Sequence, residues 1–310
     1  MNMPRKPTAK SLQLGHHPPQ RGFLYGVAAY ALWGVLPLYF KAIADVPATD
    51  IVAHRVLWSL PFLAALVALS RGWDKVRAVV RDPRTLGVLT VSAALIGINW
   101  LLYVYAVTGG HILAASFGYY LNPIANVLLG RFVLKEPLSR LQWSAVAIAG
   151  AGITVLAAGA LGQLWISLTL CLSFALYGLL RKVVRADAVT GLGIETALLL
   201  PFAIAWLAWR ALAGQPVFGF SATDAGLLVL AGVVSTTPLL LFTAAARKLA
   251  YSTLGMLQFL APTLQFLIAV LLYGERFTMA HAAAFAAIWL ALVLYVTALV
   301  RAPRLPQAPE

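Results

Sequence analysis

Long apolar stretches, separated by short polar connections, occupy most of the chain. A helix needs about 20 mostly apolar residues to cross the hydrocarbon core of a bilayer. Ten stretches meet that length, at residues 22–41, 51–70, 86–107, 111–133, 138–159, 162–180, 190–212, 224–246, 251–273 and 278–300. The pattern therefore predicts an all-α polytopic membrane protein with ten transmembrane helices, and no loop is long enough to hold a soluble domain.

The composition agrees with this pattern. Of the 310 residues, 61% are hydrophobic and only 11% are charged, and the mean hydropathy is +0.85. A soluble domain carries roughly 25% charged residues, and disordered chains are poor in apolar residues, so both classes are excluded. The single cysteine, Cys171, excludes an intramolecular disulfide and a multi-cysteine metal site. We expect a chain embedded in the lipid bilayer, with no metal and no other cofactor.

The basic residues divide unevenly between the two sides of the membrane. With the N-terminus in the cytoplasm, 19 of the 23 Lys and Arg residues fall in cytoplasmic segments, three in periplasmic segments and Arg55 in a span. This asymmetry is the usual orientation signal of membrane proteins, and it explains the net charge of +13 without a nucleic-acid partner. We expect residues 1–21 to form a disordered cytoplasmic arm and residues 301–310 a cytoplasmic tail.

Two halves of the chain, residues 22–159 and 162–300, share a pattern at offsets of 139 to 144 residues. In both halves a proline is followed 13 residues later by a glutamate. The matched pairs are Pro123 with Pro262, Glu136 with Glu275, Arg55 with Glu195 and Trp33 with Tyr177. Because five helices is an odd number, the second half enters the membrane in the opposite orientation. The chain is therefore predicted to form two inverted five-helix repeats, a plan that recurs in secondary transporters.

Several stretches resemble the RarD-type permeases of the EamA family, in the drug/metabolite transporter superfamily. They include YALWGVLPLYFK, ASFGYYLNPIANVLLG, SFALYGLLRK and STLGMLQFLAPTLQFLIAV, and the proline-to-glutamate spacing belongs to the same resemblance. The similarity spans residues 25–276. It implies a ten-helix permease in a bacterial inner (plasma) membrane.

Polar residues within the spans are candidates for a substrate cavity. In the fourth predicted helix they are three and four residues apart and share one face, and the ninth helix repeats the arrangement. The two sets are Ser116, Tyr119, Pro123 and Asn126, and Gly255, Gln258, Pro262 and Gln265. We predict that Pro123 and Pro262 break their helices and free backbone carbonyls, and that the two faces meet around a shared cavity. Further cavity candidates are Trp33, Asn99, Tyr103 and Tyr177. The alternative is that these side chains only hydrogen-bond neighbouring helices.

Two ionisable residues, Arg55 and Glu195, lie well inside predicted spans. Such residues are costly in a membrane and are functional candidates by default. Their helices begin on opposite sides, which separates them by about 15 Å along the membrane normal. We therefore expect separate gating or coupling roles rather than an ion pair, with Glu195 as the proton-coupling candidate. The alternative for each is snorkelling toward the membrane surface.

These features favour a secondary transporter, a permease or exporter that moves a small organic metabolite or drug-like solute by alternating access, with or without proton coupling. The alternative is a membrane-embedded enzyme or a lipid-handling, flippase-like protein, which needs polar residues clustered at one membrane face. No catalytic site is expected, because no zinc-protease, phosphate-loop or nucleophile-elbow motif occurs. Small residues in the fifth and tenth helices indicate a scaffold or the face of a homo-oligomer.

The distribution of basic residues generates a prediction about topology. A reporter that is active only in the cytoplasm should be active when fused after residue 300, because both termini are predicted to be cytoplasmic. An alkaline phosphatase fused at the same position should be inactive. A phosphatase that is active at that position would contradict the predicted orientation.

Overall fold

The computed structural model describes residues 18–109, 111–157, 161–274 and 279–301, and within these ranges it contains helices and turns without any β-strand. The helices are α1 (Pro18–Ala42), α2 (Ala48–Leu69), α3 (Trp73–Arg81), α4 (Pro83–Thr108), α5 (Ile112–Phe132), α6 (Arg140–Ala157), α7 (Leu164–Val183), α8 (Ala188–Leu212), α9 (Ala222–Ala246), α10 (Tyr251–Leu257), α11 (Leu260–Leu271) and α12 (Met279–Arg301). Most of the predicted N-terminal arm, the C-terminal tail after Arg301 and Glu275 lie outside the described residues.

Seven helices in the described ranges are long and apolar enough to cross a membrane, namely α1, α2, α4, α7, α8, α9 and α12. They coincide with seven of the predicted spans, and α5, α6 and the pair α10–α11 coincide with the other three. The molecule is therefore a polytopic all-α membrane protein, as the hydrophobic pattern predicts.

The ninth predicted span is two helices rather than one. α10 ends at Leu257 and α11 begins at Leu260. Pro262 has no backbone N–H, and its ring clashes with the carbonyl four residues earlier, which is that of Gln258, so the interruption falls there. The break expected at Pro123 is absent, because α5 runs continuously from Ile112 to Phe132.

α5 packs closely against two neighbouring helices. At Gly118 an added Cβ would lie 2.7 Å from the backbone oxygen of Ser167 in α7. At Gly255 in α10 an added Cβ would lie 2.8 Å from the carbonyl oxygen of Pro123. Within this packing the helix tolerates the one backbone hydrogen bond that Pro123 removes, as α1, α2, α8 and α9 tolerate their internal prolines.

A short amphipathic helix, α3, occupies a region that the sequence predicts as a basic loop. Its Val79 is buried and packs in one cluster with Leu89 of α4. On the same face of α3, Lys75 Nζ lies 3.4 Å from Asp187 Oδ2, at the start of α8. Partial burial alone would raise the pKa of Asp187, but the hydrogen bonds from Thr190 and the charge of Lys75 hold that pKa below its ordinary value. The ion pair and the apolar contact fix α3 to the bundle.

One face of the bundle carries most of the basic side chains, and we call it the basic face. Contacts between helix ends close it. At the end of α7, Lys182 Nζ donates a hydrogen bond to the carbonyl oxygen of Ala246, at the end of α9. The carboxylate of Glu136, after α5, accepts hydrogen bonds from the backbone N–H and the hydroxyl of Ser252, at 2.9 and 2.7 Å. This carboxylate therefore satisfies unpaired N–H groups at the start of α10.

The other end of the bundle, which we call the opposite face, is where α1 ends and α2 begins. There the hydroxyl of Tyr39 donates to the carbonyl of Leu227, near the start of α9, at 2.7 Å. The carboxylate of Asp50, in the first turn of α2, accepts a hydrogen bond from Arg210 near the end of α8, at 2.8 Å. Both contacts join helices that are distant in sequence.

The most extensive contacts between helices are made by nine pairs. These pairs are α1–α9, α1–α11, α2–α8, α2–α9, α4–α7, α4–α8, α5–α7, α5–α10 and α6–α12. α6 and α12 meet through small residues, since an added Cβ at Gly152 would lie 2.8 Å from the Cβ of Ala287. The small residues noted in the sequence thus serve packing within the chain.

The contact between α2 and α9 generates a stability prediction. A Cβ atom at Gly232 would overlap the backbone of Trp58 and Ser59. Gly232→Ala should therefore lower the free energy of unfolding by about 1–3 kcal/mol through overpacking. Gly226→Ala, in the same helix with open space around it, should be neutral or slightly stabilising. Thermal unfolding in detergent measures both variants, and equal stability of the two would contradict the close approach.

Candidate functional site

A cavity of about 330 Å³ lies among α1, α2, α4, α5, α7, α9 and the α10–α11 pair. Its lining combines aromatic, amide and hydroxyl side chains with one charged side chain. The lining residues are Trp33, Leu36, Pro37, Phe40, Arg55, Asn99, Trp100, Tyr103, Ala115, Ser116, Tyr119, Tyr120, Phe174, Leu239, Gln258, Ala261, Pro262 and Gln265. A concave, mostly apolar site with a few polar groups is typical of small-molecule binding.

The cavity lies toward the opposite face of the bundle. Trp33 and Phe40 belong to the second half of α1, which ends at that face, and Arg55 belongs to the first turns of α2, which begins there. Asn99 lies in the last third of α4, and Ser116 in the first turns of α5. Four helices thus present cavity residues at a similar depth.

Five aromatic side chains, which we call the aromatic floor, close the cavity toward the basic face. Trp33 and Phe174 line the cavity, and Tyr30, Tyr177 and Phe242 pack behind them without exposed surface. The ring centroids of Phe174 and Phe242 are 5.4 Å apart, and those of Tyr177 and Phe242 are 6.4 Å apart in a stacked arrangement. A solute in the cavity cannot pass toward the basic face unless these rings move.

Hydrogen bonds fix the amide groups around the cavity. Asn99 Nδ2 donates to the carbonyl oxygen of Leu170 and to Ser173 Oγ in α7, each at 2.9 Å. The hydroxyl of Tyr119 donates to Asn99 Oδ1 at 3.2 Å. On the other side, Gln265 Nε2 donates to the carbonyl oxygen of Trp33 at 3.0 Å. These residues therefore join helices and line the cavity at the same time.

Arg55 is the charged residue of the lining. Its guanidinium carbon lies 4.6 Å from the ring centroid of Trp100, within the range of a cation–π contact. Its Nε atom is buried and has no hydrogen-bond partner among the described residues. No carboxylate in the described part of the chain lies within ion-pair distance of it.

The structure brings nine of the predicted site residues together around this cavity. They are Trp33, Arg55, Asn99, Tyr103, Ser116, Tyr119, Gln258, Pro262 and Gln265. Asn126 is fully buried behind the lining, where its Nδ2 donates to Gln258 Oε1 at 2.9 Å. Pro123 lies within α5, Tyr177 lies in the aromatic floor and Glu195 lies in α8, all outside the lining. Whether any of these residues contacts a solute stays a prediction.

Glu195 is paired with a residue that the sequence places in a loop. Arg181 lies inside α7 without exposed surface, and its Nη1 is 3.6 Å from Glu195 Oε1. Gly191 leaves room for this guanidinium, because a Cβ atom there would overlap it. The sequence assignment of Arg181 to a loop is wrong, because the basic residue follows directly on a long apolar run and so resembles a charge at a membrane surface.

The sequence does not predict a second ion pair that the structure contains. Asp50 is 1% exposed, and it accepts hydrogen bonds from Arg210 and from the indole N–H of Trp206, at 2.8 and 2.9 Å. Both charged residues lie near helix ends, which the sequence interprets as exposed edges. No local pattern reveals the pair, because its members are 160 residues apart.

The Arg181–Glu195 pair generates a stability prediction. Removing one partner of a buried ion pair leaves an uncompensated charge, which typically costs about 3–5 kcal/mol. Arg181→Met should therefore destabilise the protein by about 3 kcal/mol or more. The double variant Arg181→Met with Glu195→Gln should recover most of that loss, because no charge is then left unpaired.

Thermal unfolding of the purified variants tests this expectation. Arg140→Met is a matched control, because this exposed arginine at the start of α6 makes no ion pair among the described residues. A double variant no more stable than Arg181→Met alone would contradict the energetic role assigned to the pair.

Comparisons with known proteins place this chain in a family. Residues 20–158 match the EamA-like transporter family. An uncharacterized transporter of Vibrio cholerae is 46% identical over 279 residues, covering 89% of this chain and 92% of that protein. Protein RarD of Salmonella typhi is 44% identical over 285 residues, covering 89% and 95%. A protein named chloramphenicol-sensitive protein RarD, from Pseudomonas aeruginosa, is 34% identical over 278 residues, covering 88% and 93%.

A solved crystal structure of a protein has the same fold, with a TM-score of 0.71 and 19% sequence identity. The superposition covers 92% of this chain and 99% of the other. At this identity the likeness concerns the fold alone, whereas the sequence relatives concern the family. This multi-pass membrane protein is a RarD-type permease that belongs to the EamA-like transporter family.

Proposed function

We propose that this transporter is a secondary carrier that moves a small organic solute across the bacterial inner membrane by alternating access. The observation that carries the proposal is a polar and aromatic cavity that is closed toward the basic face by the aromatic floor. In this proposal the basic face is cytoplasmic, both termini lie on that side, and the present conformation faces outward. The basic residues of that face support the orientation.

The proposal includes ten transmembrane helices arranged as two inverted repeats. The packing pairs support it. In order, α1, α2, α4, α5 and α6 of the first half correspond to α7, α8, α9, α10–α11 and α12 of the second. When each helix is replaced by its counterpart, one observed packing pair becomes another: α1–α9 becomes α4–α7, α1–α11 becomes α5–α7, and α2–α9 becomes α4–α8. The pairs α2–α8, α5–α10 and α6–α12 are exchanged with themselves. Such two-fold pairing is expected of inverted repeats around a central cavity.

Alternating access requires a second state in which the basic face opens. The contacts that must then separate are the helix-end links of Lys182 and Glu136, the hydrogen bond from the Tyr251 hydroxyl to the Ala175 carbonyl, and the stacked rings of the floor. These contacts join different helices and contain no covalent link. A shift of α7 against α9 and α10 would break the Lys182, Tyr251 and ring contacts. The Glu136 contact would break if the segment after α5 moved away from α10.

Within this proposal Glu195 couples transport to protons. It lies eight residues from the start of α8, on the side of the floor that faces the cytoplasm in this scheme, and it is 1% exposed. Opening of the basic face would separate Glu195 from Arg181 and admit water. A carboxylate that exchanges its proton in only one state is the group that a proton-coupled carrier needs.

Flux into proteoliposomes tests the proposed function. Purified protein should accelerate the entry of a solute that stabilises it against heat, and chloramphenicol is one solute to include because a relative bears its name. A pH gradient should change the rate. Glu195→Gln should still bind the solute but should lose the response to the gradient, because residue 195 can then carry no proton.

The control is Asp50→Asn, which removes the carboxylate of the other buried ion pair. It should lose a similar amount of stability and retain the gradient response. If Glu195→Gln responds to the gradient as the unmodified protein does, the coupling assignment is wrong. If no solute that binds is ever transported, the carrier function is wrong.

A further inference from the structure

The charge of the cavity is positive and is not balanced by the protein. Arg55 is the charged side chain among the lining residues, and the remaining polar groups there are amides and hydroxyls. An arginine guanidinium stays protonated in proteins, so it cannot lose its charge when water is displaced. A solute that enters this cavity therefore meets a permanent cation in largely apolar surroundings.

Two other arginines within the bundle, one buried and one partly buried, show what the protein does elsewhere with such a charge. Arg181 is paired with Glu195, and Arg210 is paired with Asp50. Arg55 is also partly buried, but it has no carboxylate partner among the described residues, and its Nε atom has no hydrogen-bond acceptor there. The contact with Trp100 compensates only part of the cost of removing a cation from water.

The tyrosines around Arg55 do not supply the missing negative charge. Tyr39, Tyr103 and Tyr119 are close enough to act on it electrostatically. The hydroxyls of Tyr39 and Tyr119 already donate hydrogen bonds, to the Leu227 carbonyl and to Asn99. These rings hold the guanidinium in place and leave its donor groups without an anion.

The two halves of the sequence differ at one matched position. Arg55 corresponds to Glu195 at an offset of 140 residues. Glu195 has an ion-pair partner in Arg181, whereas no carboxylate of the described residues lies within ion-pair distance of Arg55.

We propose that the missing charge belongs to the solute, and that this protein transports an organic anion whose carboxylate binds Arg55. The assignment rests on the proposed carrier function and names its substrate class. The planar guanidinium fits a carboxylate with two parallel hydrogen bonds. The apolar body of the solute packs on Trp33, Trp100 and Phe174, and the side chains of Asn99 and Gln258 offer further polar contacts.

Binding of matched probes to the purified full-length protein tests the assignment. The probes are benzoate, 3-phenylpropionate and indole-3-acetate, each compared with its uncharged primary amide by isothermal titration calorimetry. The amide keeps the shape and removes the charge. Because a charge-assisted hydrogen bond is about twice as strong as a neutral one, at least one acid should bind about tenfold or more tightly than its amide.

Three variants complete the experiment. Arg55→Gln should reduce the acid-to-amide ratio to about one, and Arg55→Lys should restore part of it because the charge is kept while the fork is lost. Arg140→Gln, at the exposed start of α6, should leave the ratio unchanged. Arg55→Gln leaves no carboxylate unpaired among the described residues, so we expect the variant to fold. Its elution volume in size-exclusion chromatography and its melting temperature check this expectation.

The carboxylate or phosphate that meets Arg55 could belong to a dissolved solute or to a lipid headgroup, and we assign it to a dissolved solute. Binding is therefore repeated in nanodiscs of phosphatidylcholine with and without phosphatidylglycerol. Retention of acid binding in both supports the proposal. Loss of acid binding only in the presence of phosphatidylglycerol would assign Arg55 to a lipid headgroup and overturn it.

Other outcomes also decide the question. The proposal is overturned if no acid binds the unmodified protein, if acids and amides bind equally, or if Arg55→Gln discriminates as before. Arg55-dependent binding without flux in proteoliposomes would overturn the carrier function and leave the anion site. Flux of uncharged chloramphenicol that is equal in Arg55→Gln and insensitive to the acids would support a carrier and overturn the anion assignment.

Discussion

A charge buried among apolar helices must be balanced nearby, and this constraint organises the molecule. Water cannot solvate such a charge, so the cost of burial is met by a partner of opposite sign or the site is destabilised. Asp50 with Arg210 joins α2 to α8 near the opposite face, and Arg181 with Glu195 joins α7 to α8 nearer the basic face. Both pairs therefore fix α8 within the bundle. Arg55 is only partly buried, and it lines the cavity without a carboxylate partner among the described residues.

The same constraint applies to backbone groups that a helix leaves unpaired. The start of α10 has N–H groups without partners in the helix, and the carboxylate of Glu136 accepts hydrogen bonds from two of them. This contact draws the segment after α5 against α10 on the basic face. This contact and the aromatic floor close the end of the cavity that lies toward the basic face. The cavity itself lies toward the opposite face. The closure consists of contacts between helices, which a shift of the helices can reverse.

Paired and unpaired polar groups have different roles in the cavity. The amide network of Asn99 and Tyr119 satisfies its own hydrogen bonds and also lines the cavity. Interhelical packing and solute contact are thus not alternatives for these residues, although the sequence presents them as such. For Arg55 the protein offers stacking without a counter-ion. The polar residues consequently shape the cavity, and Arg55 is the charged side chain among the lining residues.

The sequence by itself determined the class of fold and much of the cavity. Apolar runs of bilayer length fix where the helices lie, because each must bury its backbone polar groups internally. Helical periodicity placed Ser116 and Tyr119, and likewise Gln258 and Gln265, on common faces, and all four line the cavity. The resemblance to RarD-type permeases, confirmed by relatives that cover most of the chain, supplied the transporter class.

The tertiary structure alone decided which charged residues are paired and which is free. Arg181 and Arg210 follow or close apolar runs, as surface charges do, and only the packing of α7 and α2 against α8 brings carboxylates to them. It also decided that the helix is interrupted near Pro262 and continuous at Pro123. Local sequence encodes helix and face, whereas the partner of each charged residue comes from a different helix. In a medium of low dielectric those contacts set the cost of every charge.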